Sequence, residues 1–468
     1  MLKLVRFRSA VAGFVRSRRI SSLPRPFPTT IAESDQTGLA GRFGLAGLWR
    51  SADFLKFWAA DAVSETGSQI TLLALPLLAA LSLKASPGQM GLLTAVGTMP
   101  SLLFGLFAGV WVDRVRRRRL MIVADVARFL LLLVIPGAWA LGMLRFELLY
   151  AVTFLSGSLR VFFNVSYMSY VPELVGREHL LEGNSKLQST ASLAQVTGPA
   201  LAGVLVGLLG AAYAIALDAF SFLVSAVFLK RIRQPEAEPD ASIEHPPVMR
   251  GIGQGLRLVF GNATLRAMLL SASFTSFFGY VFLAVYILYM VDSLKLSSSA
   301  VGLVFGLGGL GALIGALLAT PIARRFGIGR TIIGGRILFG LCGAPVPLAV
   351  LMPSIALPLV IGAEFSQWLM LTIADVNSMS LRQAITPDRY LGRVNATSTF
   401  IVGGAVPLGS LLGGLFGELI GIKATLVVGI VGFLLAAVWV YFSPLQRLRE
   451  LPEVLEFEDP AAVATSSL

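Results

Sequence analysis

The sequence predicts an all-α membrane protein of about twelve transmembrane helices, arranged as two pseudo-symmetric six-helix bundles with both termini in the cytoplasm. Three observations predict it. Hydrophobic residues make up 55% of the 468-residue chain and charged residues only 14%, against about a quarter charged in a soluble domain. The apolar residues fall into blocks of about twenty or more, enough at 1.5 Å per residue to cross a hydrocarbon layer of roughly 30 Å. Lys and Arg collect in alternate loops, the pattern of cytoplasmic segments.

Taken in order, residues 1–50 form a basic N-terminal tail. Residues 1–32 hold seven basic side chains and no acidic one, which fits either a cytoplasmic tail drawn to anionic headgroups or an amphipathic organellar presequence. The first bundle, residues 51–230, places helices near 54–82, 90–112, 119–142, 146–170, 187–209 and 211–230. Residues 231–262 form a cytoplasmic linker, whose RIRQPEAEP start is too poor in large apolar residues to pack a core. Within it, residues 248–262 are patterned as a short amphipathic helix on the membrane surface. The second bundle, residues 263–445, places helices near 266–291, 299–322, 331–352, 356–381, 396–417 and 423–443, and residues 446–468 form a cytoplasmic tail.

With this assignment only Lys84, Arg145, Lys295 and Lys423 fall in outside loops and Arg128, Arg160 and Arg336 inside helices; the rest of the 38 Lys and Arg are cytoplasmic. The halves also look like copies. Asn184 and Asn395 are 211 residues apart, Pro199 and Pro407 are 208 apart, and GVWVDRVRRR from Gly109 precedes ATPIARRFGI from Ala319 by 210. A parallel six-helix repeat is what a two-bundle transporter uses to enclose a midplane site.

Several functions are excluded at this level. The net charge of +12 is spread over alternate loops and forms no nucleic-acid face. One cysteine, Cys342, and two histidines, His179 and His245, rule out disulfide frameworks and Cys/His metal sites. No cofactor is expected. No GxxxxGK[ST] loop or loop cluster of nucleophile and base occurs, which argues against ATP hydrolysis and against an enzyme.

At Gly109, Asp113, Arg114, Arg117 and Arg118 the chain reads GxxxDRxxRR between helices two and three, which resembles the signature loop of the major facilitator superfamily. At that spacing the glycine permits close helix approach, while Asp113 and the arginines form a cytoplasmic charge latch with Glu173 as partner. Gly198, Pro199 and Gly203, in GPALAG, resemble the glycine-proline motif of that superfamily's drug and metabolite exporters; small residues let helices pack closely and proline bends the helix. The runs SETGSQITLLALPLLAAL, 64–81, and LRQAITPDRYLGRVNATSTFIVGGAVPLGSLLGG, 381–414, are similar to the branch that includes enterobactin exporters and macrolide efflux proteins, the transmembrane secretion effectors. The resemblance covers about residues 50–445. It implies export of amphipathic small molecules, siderophore-like or drug-like, driven by proton exchange, and by analogy a monomer in a bacterial inner membrane. The second-half loop has Ala319 and Ala323 in place of Gly109 and Asp113, and Phe163 and Asn164 follow Arg160 where related exporters carry Gln and Gly.

A charge near the bilayer centre costs about 2.5 to 3.5 kcal/mol on insertion scales. Each ionisable residue inside a helix therefore needs a partner, water or a function. Asp61 and Glu65, four apart on helix one, share a face, and like charges so placed favour retention of one proton. Glu65, nearer the middle of the span, is the primary proton-coupling candidate, Asp61 its neighbour and Arg160 their cationic partner. Asp125 and Arg128 are expected to neutralise each other. Glu364 and Asp375, eleven residues and about three turns apart, are secondary candidates for the second-half cavity wall. Aromatic residues such as Phe162, Tyr280, Tyr286 and Trp368 could line a cargo pocket, though most membrane aromatics face lipid or neighbouring helices. The sequence thus reads as a secondary exporter working by alternating access, with uptake or facilitated diffusion, or a non-transporting sensor or scaffold on the same fold, as alternatives.

Overall fold

A computed structural model describes residues 47–105, 107–112, 114–236 and 248–449 of the chain. The expectations for the N-terminal tail or presequence, for Asp113, for the linker over 237–247 and for the tail from residue 450 lie outside the described residues. The long helices of the first half are α1 (Ala52–Leu81), α2 (Pro87–Phe104), α4 (Arg117–Ala140), α5 (Phe146–Val175), α6 (Leu180–Leu209) and α7 (Ala211–Lys230), with a five-residue α3 (Ala108–Val112). After α8 (Val248–Gly261) come α9 (Ala263–Leu288), α10 (Ser298–Phe326), α11 (Ile328–Gly343), the short α12 (Pro345–Leu348), α13 (Ala356–Ile385), α14 (Asp388–Leu419) and α15 (Ile422–Tyr441). No strand occurs among the described residues.

Ten of these helices, some with their flanking turns, are long and apolar enough to cross a membrane. The other two long helices of the first half, α1 and α2, are also predicted as spans. They have the length, but Asp61, Glu65 and Gln69 on α1 and Gln89, Thr94 and Thr98 on α2 hold them below the hydropathy of the ten. Helices turned toward one another and toward water need less apolar surface than helices facing lipid.

Caps and breaks follow local chemistry. Ser51 and Ser297 accept the backbone N–H groups of Phe54 and Ala300, both at 3.3 Å, and Asn262 caps α9 through Thr264 and Leu265. Ser86 and Gln89 form a reciprocal capping box with Pro87 in the first turn of α2, satisfying N–H groups that a helix start leaves open. Two predicted helices are interrupted. The one expected over 90–112 stops at Phe104, beyond Pro100 and before Gly105, and resumes as α3; the one expected over 331–352 breaks after Gly343, where Pro345 and Pro347 supply no N–H to continue the ladder. The end of α9 opens into a π-turn, Tyr289–Ser293.

The two halves repeat one another at an offset of 211. Lys84 and Lys295 both adopt the left-handed conformation, φ 51° and 54°, just before the serine caps of α2 and α10. Gly210 and Gly421 both have φ 87°, where a side chain would be strained, and join α6 to α7 and α14 to α15. Within the first half α1 packs on α6 and α7, α4 on α5 and α7, and α2 on α5; within the second α9 packs on α14 and α15, α10 on α13, and α11 on α13 and α15. The largest contacts between halves are α6 with α10 and α2 with α14. The expected amphipathic segment is helical as α8, yet Leu258 and Val259 are buried against the rest of the molecule and Gly255 lies against the Arg393 carbonyl of α14. It is a packed helix and does not rest on a lipid surface alone.

Both crossings between halves are made by glycines that the repeat brings to equivalent places. A Cβ on Gly203 of α6 would fall 2.7 Å from the Gly302 Cα of α10, and one on Gly414 of α14 would fall 3.0 Å from the Gly91 Cα of α2. Gly91 corresponds to Gly302, and Gly203 to Gly414, at the same offset of 211. These crossings lie toward the end of the molecule that carries Lys84, Gly210, Lys295 and Gly421. The opposite end carries Arg116 to Arg119 and Arg324 and Arg325 and is called the basic end below.

Candidate functional site

Helix α1 brings the primary candidates together. Asp61 and Glu65 sit one turn apart and are half-buried. Glu65 accepts a hydrogen bond from Gln69 Nε2 at 2.9 Å, one turn further on. Tyr167 of α5, stacked on Phe57 at 5.3 Å, carries its hydroxyl beside Asp61. The Gln69 side chain is accommodated by Gly198, where a Cβ would come within 2.4 Å of the Gln69 Cβ. The glycine-proline motif therefore works on two faces: Gly198 receives α1, and the backbone from Pro199 to Gly203 meets Gly302 of α10.

Arg160 of α5 is exposed and makes no ion pair or hydrogen bond among the described residues. The expected pairing with Asp61 or Glu65 is not formed.

A buried polar layer between α1, α4 and α7 was not legible as a unit in the sequence. Asp125, Arg128 and Asp218 are all buried. Asp218 accepts from Ser221 Oγ at 3.0 Å. The Arg128 guanidinium lies 3.7 Å from the Phe222 ring centroid and donates to Ser68 Oγ at 3.4 Å. Gly67 of α1 allows this, since a Cβ there would strike Asp218 Oδ1 and Ser221 Oγ at 2.3 and 2.2 Å. Both carboxylate oxygens of Asp125 are buried without a hydrogen-bond partner. The expectation that Asp125 and Arg128 simply neutralise each other is therefore incomplete: the Arg128 charge serves Asp125 and Asp218 together, and its guanidinium makes its contacts on α7 and α1. The available signal was Asp218 followed by Ser221 and Ser225 at helical spacing.

In the second half the two secondary candidates part company. Glu364 is 5% exposed; it accepts from Tyr286 Oη at 3.0 Å and Trp368 Nε1 at 2.8 Å, and Gly308 of α10 leaves space for it. It is a satisfied buried group, not part of an open wall. Asp375 keeps a 54% exposed side chain and holds Arg336 Nη2 of α11 at 2.5 Å. It borders a cavity of about 220 Å³ near the basic end.

The arginine-rich loop is anchored within the first half. Arg117 pairs with Glu173 at 3.3 Å. Arg118 Nη1 donates to the carbonyls of Ile232 and Gln234 at 2.9 and 3.1 Å, and Gln234 Nε2 donates to the Glu173 carbonyl at 3.0 Å. Asp53, at the start of α1, accepts the backbone N–H groups of Arg233 and Gln234. These bonds tie α1, α4, α5 and the segment after α7 together. Arg114 is exposed, and among the described residues no atom beyond its own stretch of helix lies within 4 Å of where a Cβ on Gly109 would stand, so the close helix approach expected at that glycine is not made there. At the other end Glu418 of α14 accepts the Gly88 N–H of α2 at 3.0 Å, an anion on a helix N-terminus.

Comparison with known proteins places this geometry. The family described as transmembrane secretion effector matches residues 44–464. The multidrug efflux pump Tap of Mycolicibacterium fortuitum is 27% identical over 395 residues, 82% of this chain and 93% of that protein. The enterobactin exporter EntS of Shigella flexneri is 28% identical over 299 residues, 61% of this chain and 66% of that protein. A bacterial homologue of the iron transporter ferroportin, in its inward-facing state, superimposes with a TM-score of 0.67 at 20% identity, covering 83% of this chain and 98% of that one.

Proposed function

This chain belongs to the transmembrane secretion effectors of the major facilitator superfamily, a membrane transporter and not an enzyme, and we propose that it exports amphipathic small molecules by proton-coupled alternating access. In this reading twelve helices cross a bacterial inner membrane as two six-helix bundles, residues 51–230 and 263–445, with the basic end and both termini in the cytoplasm. Glycine crossings then close the outer end, and the protein works as a monomer.

The observation that carries the reading is the double use of one helix. Gly198 of α6 packs on Gln69, the donor to Glu65, while Gly203 of the same helix packs on Gly302 across the interface that must part for the outer end to open. A proton arriving at Glu65 removes the acceptor charge that holds Gln69, and a shift of Gln69 presses on α6 at its contact with the other half. Parting of α6 from α10 and of α2 from α14 opens the site outward, and deprotonation toward the cytoplasm resets it. Arg160, unpaired and exposed, is the cation placed to favour proton release when the cavity rearranges. The exporter relatives support outward transport of a small molecule; siderophore-like or drug-like amphiphiles are the proposed class.

The test is efflux of a panel of siderophores, macrolides and lipophilic dyes from cells lacking their own pumps. Glu65→Gln is expected to reduce gradient-dependent efflux at least tenfold at unchanged protein level, and collapse of the proton gradient to do the same to wild type. Efflux by Glu65→Gln that still follows the gradient would remove Glu65 from the coupling step.

A further inference from the structure

The cavity at the basic end of the second half is lined by charged and apolar side chains together. One face of α13 presents Asp375, Ser378, Met379 and Arg382, at positions i, i+3, i+4 and i+7, so all four look the same way. Met268 and Leu269 of α9 and Val402 of α14 supply an apolar surface opposite. Arg336 closes the back; its residue is 3% exposed. Two guanidinium groups thus face one carboxylate.

The accounting of hydrogen bonds leaves the arginines incomplete. Arg336 gives Nη2 to Asp375 at 2.5 Å and Nη1 to Thr275 at 3.4 Å, and its Nε is buried without a partner. The guanidinium of Arg382, two turns beyond Asp375, makes no hydrogen bond or ion pair among the described residues, and its Nε is likewise buried and unpartnered. Asp375 neutralises one charge; the second remains. Arg382 is half-buried, so its fork opens on the cavity with only Nε shut away; a partly desolvated guanidinium without an acceptor is costly unless an anion or water meets it, and it recognises carboxylate and phosphate in a bidentate manner.

We propose that this cavity binds an organic anion, a single carboxylate or phosphate on an apolar body, with the acidic group on Arg382 and Arg336 and the body against Met268, Leu269 and Val402. The volume of about 220 Å³ is below the roughly 300 to 1,000 Å³ of sites that enclose a drug-sized ligand. It takes a small acid or the acidic end of a larger molecule, either a solute from the cytoplasm or the headgroup of an anionic lipid. The proposal rests on the geometry of the second half and does not require proton coupling or a direction of transport.

The full-length protein in phosphatidylcholine nanodiscs is titrated with 1-naphthoate and, separately, with the cation 1-naphthylmethylammonium. Saturable binding of naphthoate and none of the ammonium are expected. Arg382→Gln should weaken naphthoate binding at least tenfold and Arg382→Lys less, with thermal unfolding unchanged. Asp375→Asn should tighten binding, because it removes the competing carboxylate from Arg336; a merely structural pair would lose binding instead. Equal binding of acid and ammonium, wild-type affinity in Arg382→Gln, or loss of binding in Asp375→Asn would each overturn the proposal. Repeating the titration with phosphatidylglycerol in the disc distinguishes the sources. Competition assigns the cavity to a lipid headgroup and its absence to a soluble anion, the anion site standing in both cases.

Discussion

At the scale of single residues, the buried polar layer of the first half decides more than its distance from any opening suggests. Asp125 and Asp218 share one arginine, and Asp125 has no hydrogen bond. Arg128→Ala should cost about 3 kcal/mol or more, because it leaves both buried carboxylates uncompensated. Asp125→Asn keeps the shape, removes one of the two carboxylates that share Arg128 and leaves Asp218 to balance the arginine, and should cost less than about 1 kcal/mol. Thermal unfolding of the purified protein orders the two, and a larger loss for Asp125→Asn would show that Asp125 is the anchor of the layer. Helical spacing alone joined Asp125 to Arg128 and left out Asp218, since Arg128 reaches past its own helix to Phe222 and Ser68.

At the scale of helices, the two glycine crossings set what can move. A Cβ on Gly203 would lie 2.6 Å from the Ser298 carbonyl and 2.7 Å from the Gly302 Cα, both backbone atoms that cannot turn aside. Gly203→Val should therefore pry α6 from α10, and a cysteine placed at Ser299, in a Cys342→Ser background, should become more reactive toward a membrane-impermeant maleimide. Unchanged labelling would mean that the crossing yields elsewhere. Each crossing carries one hydrogen bond besides its packing: Ser299 Oγ donates to the Gly203 carbonyl at 3.3 Å, and Glu418 accepts the Gly88 N–H, where the position equivalent to Glu418 is Gly207. Glu418→Ala should weaken this end by about 1 kcal/mol, the scale of an exposed helix-terminus interaction, and raise labelling of a cysteine at Gln89. No rise would mean that the glycine packing alone holds the closure.

At the scale of the whole molecule, the repeat gives a topology that vesicles can test. If both halves start and end on the cytoplasmic face, a cysteine at Ser443 should label only in inside-out vesicles and one at Ser86 only in right-side-out ones, each in the Cys342→Ser background. Labelling of both from one side would break the twelve-span arrangement.

Chain composition, apolar block length and the distribution of Lys and Arg were enough to read a helical membrane protein. The offset of 211 that links Asn184 to Asn395 runs on through Lys84 and Lys295, Gly91 and Gly302, and Gly203 and Gly414. Block length and charge placement are local, and lipid imposes them on any spanning helix; the repeat is read by setting the chain against itself. Apart from Glu173, which Arg117 meets, partnership was not legible. Glu364 is sealed by a tyrosine 78 residues away, Arg336 belongs to Asp375 on another helix, and Arg160 stands apart from the carboxylates it was expected to meet. Which charges pair, which are left open and which glycines touch depend on how helices distant in sequence cross. Only the tertiary structure decides that, because hydrogen bonds and side-chain packing act over a few ångströms between segments whose spacing along the chain carries no trace of it.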